Sequence, residues 1–119
     1  AWHDNRLSTQ HVFLQHACSS GYRHFLNDVR VDQHPTTLNA TNPAIVFKLN
    51  LDSAIAWQVE RSVGSAVHDI YVRRFNSVAS PLANQVKVNT SSGATDAAAP
   101  AIASDLNSKF FVAWRNGMA

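Results

Sequence analysis

The sequence predicts an all-β protein built by internal repetition, and three observations carry that expectation. The composition favours strands and turns over helices: seven of the eight acids are Asp, Glu60 being the exception, beside 12 Val, 12 Ser and 10 Asn. The chain repeats itself at an interval of 57 residues. Within each repeat, short apolar stretches alternate with segments of turn chemistry.

The repeat is read by laying residues 25–57 over 82–114, which makes 11 of the 33 pairs identical. Composition alone gives about two or three. The identities include Val29/Val86, Val31/Val88, Ala40/Ala97, Pro43/Pro100, Ala44/Ala101, Ile45/Ile102, Ala56/Ala113 and Trp57/Trp114. Ala1-Trp2 is a third copy of the Ala-Trp dipeptide, and VFLQHA (12–17) overlies IYVRRF (70–75) with one further residue of shift. Residues 1–119 therefore form a single repeat region, with repeat 1 at about 2–57 and repeat 2 at about 58–114.

Each repeat reads as a four-stranded antiparallel meander. In the complete copy the strands are PAIVFKL (43–49), SAIAWQVE (53–60), DIYVRRF (69–75) and NQVKVN (84–89). Asn50 to Asp52, the stretch around Gly64, and Asn76 to Pro81 supply the turns. The first two strands are apolar on both faces, as expected of strands covered from two sides. The fourth alternates, with Val86 and Val88 opposite Gln85 and Lys87. A meander graded from buried to half-exposed is what a β-propeller blade requires. Residues 94–106 also carry a helical signal, with Asp96 as N-cap and an Ala-rich body. Pro100 and the strand formers of the equivalent 43–49 segment argue for a strand instead.

These residues resemble a known family. AWQVERSVGSAVHDIYVRRFNSVASPLANQVKVNT, followed by PAIASDLNSKFFVAW, is similar to a tandem repeat of large bacterial secreted proteins of the haemolysin-type and adhesin-like kind. The second repeat matches closely and the first loosely. The resemblance implies β-propeller blades and an extracellular or cell-surface setting, and it assigns no activity. Positions the family usually fills with Gly hold Ala79, Ala83, Asn107 and Ser108 here, so these loops are expected to differ.

If blades begin at the Pro-Ala-Ile strand, the chain holds a half blade, a whole blade and another half. A half blade neither buries its apolar faces nor satisfies its edge, and two repeats cannot close a ring. The chain opens within a strand and reads as a processed or excised piece. Its expected partners are copies of itself or neighbouring repeats, joined by strand complementation. The leading expectation is a structural, self-assembling unit of a surface fibre or adhesin. The alternative is a carbohydrate-binding propeller module formed from associated two-blade subunits, with glycans as partners.

For that alternative, Trp57, Arg73 and Trp114 are the candidate ligand-binding residues: a Trp can stack on a sugar ring and an Arg can bond its hydroxyls. The competing reading places the Trp residues in the core between blades, and pairs or solvates Arg73. Asn39 and Asn89 head N-glycosylation sequons, relevant for a eukaryotic source. His11, His16, Cys18 and His24 are the densest metal-like group, but their spacing fits no established pattern and they are read as surface residues. No metal or other cofactor is expected. Asn50/Asp52 and Asp105/Asn107 are read as turn formers with too few carboxylates for Ca²⁺.

The remaining classes are excluded on composition. The formal charge of +2 is not clustered beyond Arg73-Arg74, so no nucleic-acid surface is expected. No apolar run approaches the ~18 residues of a membrane span. Cys18 is the single cysteine, so no disulfide forms within the chain. With no nucleophile elbow, no carboxylate pair and only four Gly for a phosphate loop, the chain reads as non-enzymatic.

Overall fold

A computed structural model describes residues 1–4, 9–15, 28–90, 92–105, 107 and 109–118. Among them every regular element is a β-strand. In chain order these are β1 (Trp2–Asp4), β2 (His11–Leu14), β3 (Val29–Arg30), β4 (Ala40–Phe47), β5 (Ser53–Glu60), β6 (His68–Phe75), β7 (Val86–Lys87), β8 (Thr95–Ser104) and β9 (Phe110–Met118). They form three antiparallel sheets, ordered β1-β2-β3, β4-β5-β6-β7 and β8-β9.

The helical signal of 94–106 loses to strand pairing. β8 runs alongside β9, and Pro100, which has no N–H to give, falls in a bulge between Ala98 and Ala101. The same device explains why β4 starts at Ala40 and not at Pro43, since its pairing with β5 is interrupted between Thr41 and Ala44. Asn42 and Ala99, 57 residues apart, both take left-handed backbone at these bulges, with φ of 52° and 54°. Asn tolerates that conformation, whereas Ala adopts it at a cost.

Register recurs from sheet to sheet. Ala44↔Ala56 and Ile45↔Ile55 in the central sheet correspond to Ala101↔Ala113 and Ile102↔Val112 in the last. Trp57↔Tyr71 and Tyr71↔Lys87 correspond to Trp2↔Phe13 and Phe13↔Arg30 in the first.

The central sheet lies between the other two. Alternate side chains of β5 point to opposite faces. Ile55, Trp57 and Val59 share one core with Val12, Leu14 and Val31 of the first sheet. On the other face the side-chain Oε1 of Gln58 accepts the Ala99 N–H of β8 at 2.9 Å. β5 is therefore buried from Ser53 to Val59. β4 is the edge of its sheet and only partly covered, with Phe47 at 49% exposure. The two-sided burial expected of both strands is thus realised in β5 alone.

Candidate functional site

The predicted ligand-binding residues do not converge on one site. Trp57 is wholly enclosed at 0% exposure. Its ring stacks on Tyr71, directly opposite in register, at 6.3 Å between centroids, and His34 meets both rings edge-on at 6.1 and 4.6 Å. The indole Nε1 has no hydrogen-bond partner among the described residues. Arg73 follows Tyr71 on the same face of β6, and its guanidinium lies 5.3 Å above the Phe75 ring. It donates through Nε to the Ala83 carbonyl at 3.1 Å and through Nη1 to the Val31 carbonyl at 3.0 Å, tying the first sheet to the central one. Burial pulls its pKa below the ordinary arginine value, against the attraction of Asp32. Trp114 sits on β9 at the far side of the molecule, half-buried, donating its Nε1–H to Asn116 Oδ1 at 3.1 Å.

Two buried ionic clusters hold the outer strands in place, and they occupy related positions. In the first sheet, Asp32 Oδ2 accepts from Arg30 Nη2 at 2.8 Å and faces His11 Nδ1 at 2.9 Å, while Oδ1 accepts the Val12 N–H at 2.8 Å. Burial alone raises this carboxyl's pKa, but the bonds from Arg30, His11 and Val12 outweigh it and hold the pKa below the usual value. In the central sheet, Asp69 takes a bidentate Arg61 at 2.8 and 3.2 Å, Asn89 Nδ2 at 2.9 Å and Lys87 Nζ at 3.2 Å. Burial again opposes these bonds and is overcome, leaving the Asp69 pKa at about 2. Arg30 and Asp32 stand 57 residues before Lys87 and Asn89, and His11 stands 58 before Asp69. The carboxylate has changed place between the two clusters while the layout is kept.

This overturns one expectation. His11, read as a surface residue, is fully buried; besides facing Asp32, its Nε2 lies 2.8 Å from Thr9 Oγ1. The signal available was its position in the repeat, where it overlies an acid that needs buried partners. His34, singled out by no motif, is also buried and has its pKa lowered to about 4, by burial first and by Arg30 and His11, against the pull of Asp32. His16, Cys18 and His24 lie outside the described residues. Among the described residues no three His, Cys, Asp or Glu are grouped to hold a metal.

The sequon asparagines are structural here. Asn39 donates from its amide to Glu60 and accepts the Gln10 N–H. Asn89 is 3% exposed, with Oδ1 accepting the Ile70 N–H and Nδ2 given to Asp69. A glycan on Asn89 has no room in this fold. Asn50 accepts the Asp52 N–H, and Asp105 accepts those of Asn107 and Lys109, all as turn-forming bonds.

Two features stay open to a partner. One is a cleft of about 470 Å³ lined by Leu14, Gln15, Ile45, Phe47, Leu51 and Asn76 among others, with no carboxylate, imidazole or thiol among its described lining. The other is the set of sheet edges: among the described residues β1, β3, β4, β7, β8 and β9 are each bonded on one side only. Edges of this kind are templates for strand addition. The outer face of the last sheet adds exposed apolar surface, with Phe111 at 59% exposure and Ala101, Ala103 and Ala113 beside it. No protein-family model, curated protein or solved structure matches the chain.

Proposed function

We propose that this chain is a structural, self-assembling extracellular repeat protein, the building block of a surface fibre or adhesin, whose copies join by β-strand complementation. The reading treats the sheets as propeller-type blades, one whole and two partial. One observation carries it: the two-stranded and three-stranded sheets reproduce, register for register, the first two and last three strands of the four-stranded sheet. Each outer sheet is then what the other lacks. The exposed Phe111 face supports the same reading, because a packed neighbour would remove it from water.

Light scattering with negative-stain imaging tests the proposal. Open filaments or closed rings that dissociate on dilution are expected. A stable monomer at every concentration would falsify it. The carbohydrate-binding alternative has no exposed Trp57 to build on, and a glycan screen on any closed ring decides it.

A further inference from the structure

The first and central sheets meet along a polar seam whose hydrogen bonds fix the protonation state of one buried ring. Gln33, past the end of β3, and Gln85, just before β7, clasp each other. The Gln33 N–H donates to Gln85 Oε1 and the Gln85 N–H to Gln33 Oε1, both at 2.7 Å. Gln33 Nε2 also donates to Asn84 Oδ1 at 3.2 Å, and Arg73 of β6 reaches the Val31 carbonyl at 3.0 Å. A backbone N–H only donates, so the clasp sets which way round the Gln85 amide lies. Its Oε1 faces Gln33, and its Nε2 faces His34 Nδ1 at 3.3 Å. An amide NH2 only donates as well, so Nδ1 is the acceptor and the imidazole proton sits on Nε2. The ring belongs to a residue only 8% exposed and meets Tyr71 and Trp57 edge-on at 4.6 and 6.1 Å. Its Nε2 has no hydrogen-bond partner among the described residues.

We infer that His34 is an acid-sensitive latch: its protonation breaks the Gln33–Gln85 clasp and releases the segment after β3 from the central sheet. The latch lies within one chain and does not depend on assembly between copies. The added proton must go to Nδ1, which then points an N–H at the Gln85 amino group, donor against donor. Turning the Gln85 amide over offers Nδ1 an oxygen but leaves the Gln33 N–H facing an NH2. Swinging His34 out of the seam carries its neighbour Gln33 with it. Each route costs the clasp. The charges around the ring do not compensate. On its own side of the seam stand Arg30, whose Nη2 donates to the His34 carbonyl at 2.7 Å, then Asp32, and His11 of β2. Asp32 is already taken up by Arg30 and His11. From the central sheet, β6 presents Asp69 and Arg73 on either side of Tyr71 and β7 adds Lys87, with Asp69 held by Arg61 and Lys87. Ile55, Trp57 and Val59, the β5 side chains on this face, do not titrate. Burial first, and then Arg30 and His11, lower the His34 pKa to about 4 against the attraction of Asp32. The latch is therefore shut at neutral pH and opens in acid.

The test is a pH titration of the whole chain by two-dimensional NMR of its nitrogen-bound protons, at a fixed low concentration. The backbone amides of Gln33 and Gln85 are expected to shift with one midpoint near 4, shared with the His34 ring nitrogens. The amides of Ala101 and Ala113, in the last sheet, are expected to stay in place through that range. Gln85→Glu offers one oxygen to the Gln33 N–H and a second to a protonated Nδ1. It is expected to raise the His34 midpoint by about one pH unit or more and to keep the Gln33 amide in place as the ring titrates. His34→Phe keeps an edge-on ring that takes no proton, and is expected to abolish the shifts at Gln33 and Gln85. Titration of the His34 ring with both glutamine amides unmoved overturns the inference. So does an unchanged midpoint in Gln85→Glu, persistence of the shifts in His34→Phe, or movement of Ala101 and Ala113 together with the seam, which would be unfolding of the whole chain.

Discussion

Trp57 and Trp114 occupy the same place in the repeat and meet different surroundings. Around Trp57 the first sheet supplies Val12, Leu14 and Val31, and Tyr71 and His34 close the ring in. Trp57→Ala removes a fully buried indole and leaves a cavity, so about 3–5 kcal/mol of stability is expected to be lost. Trp114→Ala, at a part-exposed site, is expected to cost no more than about 1 kcal/mol in dilute solution. Urea midpoints of the two variants check the contrast, and equal losses would contradict the burial described here. The backbone offers a second residue-scale test. Ala99 holds φ of 54° and Ala79 holds 59°, where a Cβ is penalised. Ala99→Gly is expected to gain about 0.5–1 kcal/mol, since the residue is exposed and its N–H bond to Gln58 is kept. The same change at Ala103, in ordinary strand conformation, is expected to lose a similar amount. Opposite signs in one strand are the measurement.

At the scale of elements, each outer strand is pinned by a buried carboxylate that gathers cations and backbone N–H groups. Asp32 anchors β3 to β2 and Asp69 anchors β6 to β7. These bonds oppose the acid form. Asp69, at about 2 in the fold against an ordinary 3.8, contributes stability that is present above pH 3.8 and lost as pH falls toward 2. His34 acts in the same direction, at higher pH. Its folded pKa of about 4 lies below the ordinary 6.5, so between those values the unfolded chain binds the extra proton and stability falls with falling pH. The slope from His34 is at most about 1.4 kcal/mol per pH unit. Urea midpoints measured from pH 7 to 4 are expected to decline, and His34→Gln is expected to flatten that decline. An unchanged slope in the variant would show that His34 is not the group responsible.

For the whole molecule, the four-stranded central sheet lies between a three-stranded and a two-stranded sheet. The extents of 44 × 34 × 22 Å fit such a row of stacked sheets. On the strand-complementation reading proposed above, another copy joins this row in the register that the central sheet already shows. Sedimentation across a hundredfold concentration range is expected to show mass rising with concentration. The exposed Phe111 face offers a mutational handle at this scale, because Phe111→Asp puts a charge where the proposed assembly would pack a neighbouring sheet. That change is expected to abolish assembly with under about 1 kcal/mol of effect on the folding of the isolated chain; preserved assembly would exclude this face from the interface.

The amino-acid sequence by itself determined the strand content, the 57-residue recurrence and the residues that recur, because hydrophobic alternation and turn chemistry are local. SAIAWQVE coincides with β5 residue for residue, and the Ala-Trp dipeptide marks the same strand three times. What packing decides was not legible there. The left-handed backbone at Ala99, the burial of His11 and His34, and the different exposure of Trp57 and Trp114 depend on which sheet lies across from each residue. Arg73 reads in the string as a glycan contact or as a paired or solvated cation, and it becomes a tie between sheets only because the Val31 carbonyl, 42 residues away, is brought within 3.0 Å. Burial and charge pairing are properties of neighbours distant in the chain, and only the tertiary structure assigns those neighbours.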